Sequence, residues 1–168
     1  ALGGLEMDPL TLAQYFSIFP NNGILKPLIL SSSAKATEDK LTLETPMADV
    51  TGETRIFNEP EVELVTKILS DRSLAVDQFG AKSSLDLEQK NYAVKTGTSY
   101  DYHDSWTVGW TPDYLVLAWV GNSDNTALNQ VSGQEGAGGL WRQTMELLAN
   151  SEYNLKIPLN FSHIKEIP

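Results

Sequence analysis

The spacing of apolar residues predicts three helices, over residues 9–19, 59–69 and 140–149. The first has an N-cap in Asp8 and a proline, Pro9, at the first helical position, where the missing N–H costs nothing. In the second helix, four apolar residues recur at helical spacing and predict one buried face: Val62, Val65, Ile68 and Leu69. Each helix ends at a polar or glycine-containing segment.

Shorter runs of apolar and β-branched residues predict five strands: 25–30, 41–50, 92–98, 106–111 and 114–121. The last three follow one another closely, with residues 111–113 as a hairpin turn, and therefore predict an antiparallel meander. Segments 31–40 and 72–90 are polar and are predicted to be irregular. The predicted fold class is α+β, an antiparallel sheet flanked by helices, over residues 1–150. Residues 151–168 are interpreted as an exit segment leading to a further domain.

Charge and composition narrow the possible functions. The 168 residues contain 12 Lys and Arg against 22 Asp and Glu, a net charge of −10 that disfavours binding to nucleic acids. No apolar run approaches the length of a membrane span. The chain has no cysteine and two histidines, so neither a metal site nor another cofactor is predicted. The acidic residues Glu59, Glu61 and Glu63 are interpreted as a solvated surface.

The first five residues contain neither an initiator methionine nor the basic and apolar regions of an export signal. We therefore expect the chain to be a piece of a longer protein. Any catalytic group that the sequence lacks is expected in the part that precedes Ala1.

The residues that point to a particular chemistry stand at the end of the predicted strand 92–98. Lys95-Thr96-Gly97 matches the K-T-G element of serine β-lactamases and penicillin-binding proteins. The match extends along the chain through four further groups of residues: Thr98-Ser99, Asp104-Ser105-Trp106, Gly109-Trp110-Thr111-Pro112-Asp113-Tyr114 and Trp119-Val120-Gly121-Asn122. Over residues 1–149 the sequence resembles the end of the transpeptidase domain of class A, bifunctional penicillin-binding proteins. Near residue 140 it most resembles the 1C subtype, in Ser132-Gly133, Gly136-Ala137 and Trp141-Arg142.

The resemblance implies a role for each residue of the K-T-G-T element. Alternate residues of a strand point the same way, so the hydroxyls of Thr96 and Thr98 can converge on one carboxylate, with Gly97 leaving room between them. The implied substrates, peptides ending in D-Ala-D-Ala, and the β-lactams carry such a carboxylate. Lys95 would add a positive charge, and the backbone N–H of Thr98 would form half of an oxyanion hole.

The family also needs an S-x-x-K element, which holds the serine nucleophile, and an S-x-N element, both upstream of K-T-G. The chain has three literal matches, which we interpret as chance: Ser32–Lys35, Ser162–Lys165 and Ser123-Asp124-Asn125. The last two follow K-T-G, and the first lies in a polar segment. The implied parent enzyme is an envelope D,D-transpeptidase of the periplasm, anchored to the inner membrane, and the isolated chain is predicted to be inactive.

Two other functions stay open at this point. The parent could be a β-lactamase or D,D-carboxypeptidase that hydrolyses its acyl-enzyme, or the chain could be a non-enzymatic, degenerate penicillin-binding module. A triad of Ser105, His103 and an aspartate is a weaker alternative, because a polar loop explains these residues equally well. Asp104 is expected to accept hydrogen bonds from the turn. Most of the four tryptophans are expected to pack in the core rather than to bind carbohydrate.

Overall fold

The computed structural model describes residues 6–28, 52–80, 82–128 and 134–165. Along these parts of the chain the elements are α1 (Pro9–Phe16), β1 (Ile24–Leu25), β2 (Thr54–Arg55), α2 (Glu59–Ser70), α3 (Val76–Phe79), β3 (Ala93–Thr98), β4 (Asp104–Trp110), β5 (Leu115–Gly121) and α4 (Ala137–Ala149). Short 3₁₀ turns occur at Arg72–Ala75 and Tyr100–Tyr102.

The predicted antiparallel meander is confirmed, with strand order β3-β4-β5. The hairpin turn between β4 and β5 is also as predicted. The Thr111 N–H donates to the Tyr114 carbonyl oxygen at 2.9 Å, and Thr111 Oγ1 accepts from the Asp113 N–H at 3.1 Å. A side-chain hydroxyl that caps the turn explains how so short a connection satisfies its backbone donors.

The two faces of the sheet are covered by different helical segments. Trp110 is fully buried on one face, where its ring stacks on Phe19 at 5.0 Å and lies 6.3 Å from Phe16 of α1. The preceding residue, Gly109, faces the other side, directly under the ring of Trp141 in α4. On that side the buried residues include Val94, Val116, Ala118, Tyr92, Met145 and Trp141. Core packing is thus confirmed for Trp110 and Trp141, whereas Trp119 is 39% exposed.

Helix α1 begins as predicted, with Asp8 Oδ1 accepting from the Thr11 N–H at 2.9 Å, but it ends at Phe16 instead of residue 19. Residues 17–23 form a series of turns that still bring Phe19 onto the sheet. Asn22 and Gly23 adopt positive φ values of 53° and 88°. This left-handed conformation suits Asn and Gly, and it terminates the helical segment.

Two strand predictions need correction or lie outside the described residues. Of the strand predicted over 25–30, Leu25 lies in the two-residue β1, residues 26–28 are irregular, and 29–30 lie outside the described residues. β1 pairs with β2, a strand that the apolar pattern did not indicate. Both β2 residues are exposed, so the strand has no apolar alternation to recognise. The predicted strand 41–50 and the polar segment 31–40 lie outside the described residues.

Segment 72–90 is more structured than predicted. It contains a 3₁₀ turn and α3, and it contributes Leu85 and Leu87 to the core. An ion pair between Arg72 Nε and Asp86 Oδ1, 3.1 Å apart, links the turn to the residues before β3. Helical pieces of four residues are too short to show a periodic pattern, which is why the sequence indicated an irregular segment.

Helix α2 spans Glu59–Ser70 as predicted, and the Asn58 N–H donates to Glu61 Oε2 at 2.9 Å in a capping box. Its predicted apolar face is right for Val62, which is buried, and Leu69, which is half-buried, but wrong for Val65 and Ile68, which are exposed. Its buried residues are Val62, Glu63 and Thr66, and three apolar side chains are exposed: Leu64, Val65 and Ile68. The interpretation of Glu63 as a solvated residue is also wrong, because only 5% of it is exposed. The contacts of the buried Glu63 carboxylate are described below.

Candidate functional site

The four residues of the K-T-G-T element are consecutive in β3, which lies at one edge of the described three-stranded sheet. Its one pairing among the described strands is with β4, where Lys95 stands opposite Val108 and Thr98 opposite Ser105. Lys95 and Thr98 are exposed, and Thr96 and Gly97 are partly exposed. The start of the same strand, by contrast, is buried at Ala93 and Val94. β3 therefore runs from the core to an accessible end that carries the candidate site.

The expected orientation of Thr96 and Thr98 agrees with the strand register. Thr96 stands opposite Thr107, and Thr98 stands opposite Ser105. Directly opposed residues in an antiparallel pair share a face, so four hydroxyl side chains lie on one side of the sheet. Ser105 and Thr107 are fully buried, and Ser105 Oγ accepts from the Ala137 N–H of α4 at 2.9 Å. Ser105 and Thr107 were missed as neighbours of the site, although the hairpin spacing could have indicated them.

The space beside Gly97 could hold a side chain, and no contact among the described residues requires a glycine there. A Cβ built there would meet Trp106 Cβ at 3.5 Å, an ordinary van der Waals contact, and its φ is not in the left-handed region. At Gly109, in contrast, a Cβ would lie 2.4 Å from Trp141 Cζ2 and 2.7 Å from the Ala93 carbonyl oxygen. A glycine inside a strand weakens it and often marks close approach by a ligand or another backbone. Packing explains Gly109, whereas among the described residues no packing contact requires a glycine at position 97.

Lys95 alternates with Thr96, so its side chain leaves the opposite face of the strand. Its ammonium group donates a hydrogen bond to the neighbouring Thr96 carbonyl oxygen. The side chain is thus exposed and folded along its own strand, with its charge at the Thr96 carbonyl oxygen. An anion that bound at this end of β3 would meet a cation and two hydroxyl groups within four residues.

The connection from β3 to β4 follows the candidate site directly. The Asp104 N–H donates to Ser99 Oγ at 2.7 Å, and the Ser99 N–H donates to the Asp104 carbonyl oxygen at 3.0 Å. Asp101 and Tyr102 adopt positive φ values of 56° and 60°, which non-glycine residues adopt at a cost of about 1–3 kcal/mol. Tyr100 is 77% exposed, one position beyond Ser99. The residues that follow Thr98 are therefore held in a strained, well-anchored turn.

The alternative triad does not form. His103 Nδ1 lies 2.6 Å from the Asn125 carbonyl oxygen, while Ser105 is fully buried against α4. Asp104 also differs from expectation, because its side chain accepts from Trp119 Nε1 at 2.9 Å rather than from the turn. The triad fails because His103 lies in the turn before β4, while Asp104 and Ser105 are consecutive in β4 and point to opposite faces.

Two of the three matches to the other family elements, which the sequence analysis interpreted as chance, lie among the described residues. Ser162 Oγ lies 3.4 Å from Glu63 Oε1, in the segment after α4. Ser123-Asp124-Asn125 forms a turn after β5, with the Asn125 N–H donating to the Asn122 carbonyl oxygen at 3.0 Å and a positive φ at Asn125. Ser32–Lys35 lies outside the described residues.

Within the described ranges, no cluster of three or more His, Cys, Asp or Glu side chains could hold a metal ion. A search of the same residues for a helix long and apolar enough to cross a membrane found none.

The sequence is similar to known penicillin-binding proteins. The model of the penicillin-binding protein transpeptidase domain matches residues 1–146. Penicillin-binding protein 1A of Aquifex aeolicus is 30% identical over 154 residues, which are 88% of this chain and 19% of that protein. Penicillin-binding protein 4 of Bacillus subtilis is 28% identical over 148 residues, 87% of this chain and 22% of the relative. The chain thus spans about a fifth of the length of these relatives.

Solved structures confirm the predicted fold class. The crystal structure of penicillin-binding protein 1A from Haemophilus influenzae aligns with a TM-score of 0.58 at 17% identity, covering 87% of this chain and 27% of that one. Penicillin-binding protein PonA1 of Mycobacterium tuberculosis aligns with a TM-score of 0.52 at 23% identity, covering 83% and 37%. The helices and antiparallel sheet described above are consistent with part of a penicillin-binding fold.

Proposed function

Because the chain belongs to the penicillin-binding protein transpeptidase domain family, we propose that it forms the K-T-G wall of a peptidoglycan D,D-transpeptidase site. The observation that carries the proposal is Gly97, an open glycine on the edge strand between two threonines and next to an exposed lysine. A strand with these features can bring its backbone close to a ligand, and its neighbouring lysine and threonines supply groups that attract a carboxylate.

In the proposed site, the Thr96 and Thr98 hydroxyls donate to the terminal carboxylate of a D-Ala-D-Ala stem peptide, or to the carboxylate of a β-lactam. The Lys95 ammonium favours the same anion and lies close to the S-x-N serine of the complete domain. Hydrogen bonds to charged groups are worth more than neutral ones, about 1.5–3 kcal/mol each. Lys95, Thr96, Gly97 and Thr98 are therefore the substrate-binding residues of the proposal.

The Thr98 N–H is proposed as one donor of the oxyanion hole. It would meet negative charge that develops on the carbonyl oxygen as the serine attacks, and one such donor is commonly worth about 10²–10³ in rate. The serine hydroxyl attacks the penultimate D-Ala carbonyl carbon and expels D-Ala, and an amine of a neighbouring peptide then attacks the acyl-enzyme and releases the serine.

The serine nucleophile and its lysine are proposed to lie upstream of Ala1, together with the S-x-N element. The chain is then the C-terminal part of the transpeptidase domain, of a type most like 1C, and residues 151–168 lead toward a further domain. The parent protein is proposed to act in the cell envelope, on the periplasmic side, with an anchor in the inner membrane. On this proposal the chain alone binds the carboxylate side of the substrate but carries no attacking atom.

Covalent labelling with a fluorescent penicillin tests the proposal. We expect no label on the 168-residue chain after denaturation, and stable label on a longer protein that also contains the upstream transpeptidase residues, at an upstream serine identified by peptide mass. Label on Ser32, Ser123 or Ser162 of the isolated chain would place the nucleophile within it. Rapid loss of label with release of hydrolysed penicillin would favour the hydrolase alternative, and no label on either protein would contradict both.

A further inference from the structure

The residues after α4 lie beyond the part that the family model matches, and they contact both the sheet and helix α2. Asn91, just before β3, makes two hydrogen bonds with them: its Nδ2 donates to the Ile157 carbonyl oxygen and its Oδ1 accepts from the Leu159 N–H, both at 2.7 Å. The Ile157 N–H also lies 3.3 Å from Asp113 Oδ2 in the β4–β5 turn. Segment 157–159 is therefore fixed to the sheet by backbone groups.

A buried carboxylate of α2 anchors the next residues. Glu63 Oε1 accepts from Asn160 Nδ2 at 3.0 Å and lies 2.8 Å from His163 Nδ1, and Glu63 Oε2 accepts from the His163 N–H at 2.8 Å. Ser162 Oγ contributes a longer contact of 3.4 Å. A buried carboxylate is costly unless it is paired and hydrogen-bonded, and here residues 160–163 supply these bonds.

A second contact lies one helical turn further along α2. Lys67 Nζ stands 5.2 Å from the centre of the Phe161 ring, a cation–π geometry. Glu63 and Lys67 are four residues apart and therefore share one face of the helix. Segment 160–163 thus lies along this face and covers two of its charged side chains.

We propose that residues 157–163 form a strap that fixes α2 against the sheet, with Glu63 and His163 as positioning residues for the candidate site. The link to the site is the C-terminal half of α2. Ile68 and Leu69 line the same small cavity as Lys95 and Thr96 of β3. A helix held in place at Glu63 therefore borders the K-T-G strand directly, and the strap acts on the strand through it.

Protonation should control how firmly the strap is attached. The charged groups that act on His163 are Glu63 and Glu59 of α2. Lys67 lies one helical turn beyond Glu63, at the Phe161 ring, and Lys165 follows His163 by two positions in the chain. The hydrogen bond and charge of Glu63 raise the pKa of His163 above 6.5. Burial alone would raise the pKa of Glu63, but the hydrogen bonds from His163 outweigh it and lower that pKa below 4.5.

The two pKa shifts define the pH range in which the strap is attached most firmly to α2. The contribution of His163 to strap attachment is complete below pH 6.5 and is lost as the pH rises through its raised pKa. The contribution of Glu63 is complete above pH 4.5 and is lost as the pH falls through its lowered pKa. Attachment should therefore be firmest between these two values and should weaken as the pH rises through the raised pKa of His163.

Hydrogen exchange of the 168-residue chain, read by mass spectrometry and corrected for the intrinsic effect of pH, tests the strap. In Glu63→Gln we expect protection of peptides covering 157–163 to fall about tenfold or more, because the charge that accepts these bonds is gone. Protection in the C-terminal half of α2 and at Lys95 and Thr96 should fall with it, while α4 stays protected. Glu152→Gln, which removes an exposed carboxylate that precedes the strap in sequence, is the matched control and should leave all regions unchanged.

Protection of 157–163 that is equal in wild type and Glu63→Gln would overturn the strap. Release of the strap without any change in α2 or β3 would overturn the positioning role. If Glu63→Gln loses protection throughout the chain, His163→Ala decides instead, because it alters a half-exposed side chain. It should loosen the strap at pH 6 and abolish the difference between pH 6 and pH 8, and a difference that persists would contradict the role of His163. None of these results depends on β-lactam binding, so the strap and the proposed function can fail separately.

Discussion

Gly109 of β4 lies directly under the indole ring of Trp141, so close that a β-carbon at position 109 would be 2.4 Å from Trp141 Cζ2. The Ala93 carbonyl oxygen closes the space from the other strand, at 2.7 Å. The absence of a side chain at Gly109 is therefore a condition for docking α4 onto the sheet. The same is not true of Gly97, and this contrast gives a matched pair of variants.

Gly109→Ala should destabilise the chain by about 3 kcal/mol, since overpacking forces a rigid ring or the backbone to move. Gly97→Ala should change stability by less than about 1 kcal/mol, because the new methyl group meets Trp106 Cβ at an ordinary distance and alanine loses less entropy in a strand. Urea unfolding of both variants measures the difference. Equal losses would show that Gly97 is needed by the fold, and would remove the observation that carries the proposed function.

Loss of the threonine hydroxyls should impair β-lactam binding rather than folding. In the longer protein that reacts with penicillin, Thr98→Val and Thr96→Val should each slow acylation by about tenfold to hundredfold, the value of one hydrogen bond to a charged group. The second-order rate of labelling by fluorescent penicillin measures the effect. Thr144→Val, which removes an exposed hydroxyl of α4, is the control and should react at the wild-type rate. Unchanged rates for both test variants would mean that the carboxylate binds elsewhere.

Ser105 should prove structural, as an acceptor for the first helical N–H of α4. Ser105→Ala leaves the buried Ala137 N–H without that acceptor and should cost about 1–3 kcal/mol. Ser123→Ala changes an exposed turn serine and should be neutral. Thermal unfolding of both variants compares them. A neutral Ser105→Ala would imply that another group satisfies the start of the helix.

Acid sensitivity should depend in part on Asp86. Burial would raise the pKa of its carboxyl group, but the hydrogen bonds from the Ser83 N–H and the Arg72 guanidinium outweigh burial and hold that pKa below 3.8. The stabilisation is therefore complete above pH 3.8 and is lost as the pH falls through the lowered pKa. Asp86→Asn should be less stable than wild type at pH 7 and should lose less further stability by pH 3. Asp77→Asn, at an exposed position of α3, should follow the wild-type curve, as measured by urea unfolding at each pH.

Local patterns predicted the elements that local forces determine. The meander follows from strand-length apolar runs around a hairpin turn, and α1 follows from Asp8, Pro9 and helical spacing. The K-T-G strand could be located for the same reason, since its motif and its strand pattern lie in one short stretch. Contacts between distant residues could not be anticipated in this way. Glu63 was expected in solvent because its partner His163 is 100 positions away.

The two glycines illustrate a second limit of the sequence. Gly97 and Gly109 look equivalent in a strand pattern, and only the packing of Trp141 and Trp106 around them separates a structural glycine from an open one. The exposed apolar side chains of α2 have a similar explanation. On the proposal that a strap holds α2, a buried carboxylate and a cation–π contact position the helix, which then need not turn all its apolar residues inward.

The neighbours Gly109 and Trp110 also have a consequence for substrate recognition. Gly109 leaves space for the Trp141 ring of α4, and Trp110 places its indole beside α1 on the other face. A shift of β4 by one residue would drive the Trp110 indole into Trp141 and leave a void beside α1. β4 can therefore pair with its neighbours in only one register. Since Lys95 and Thr98 take their directions from pairing with β4, two residues that touch no ligand determine which side chains the site presents.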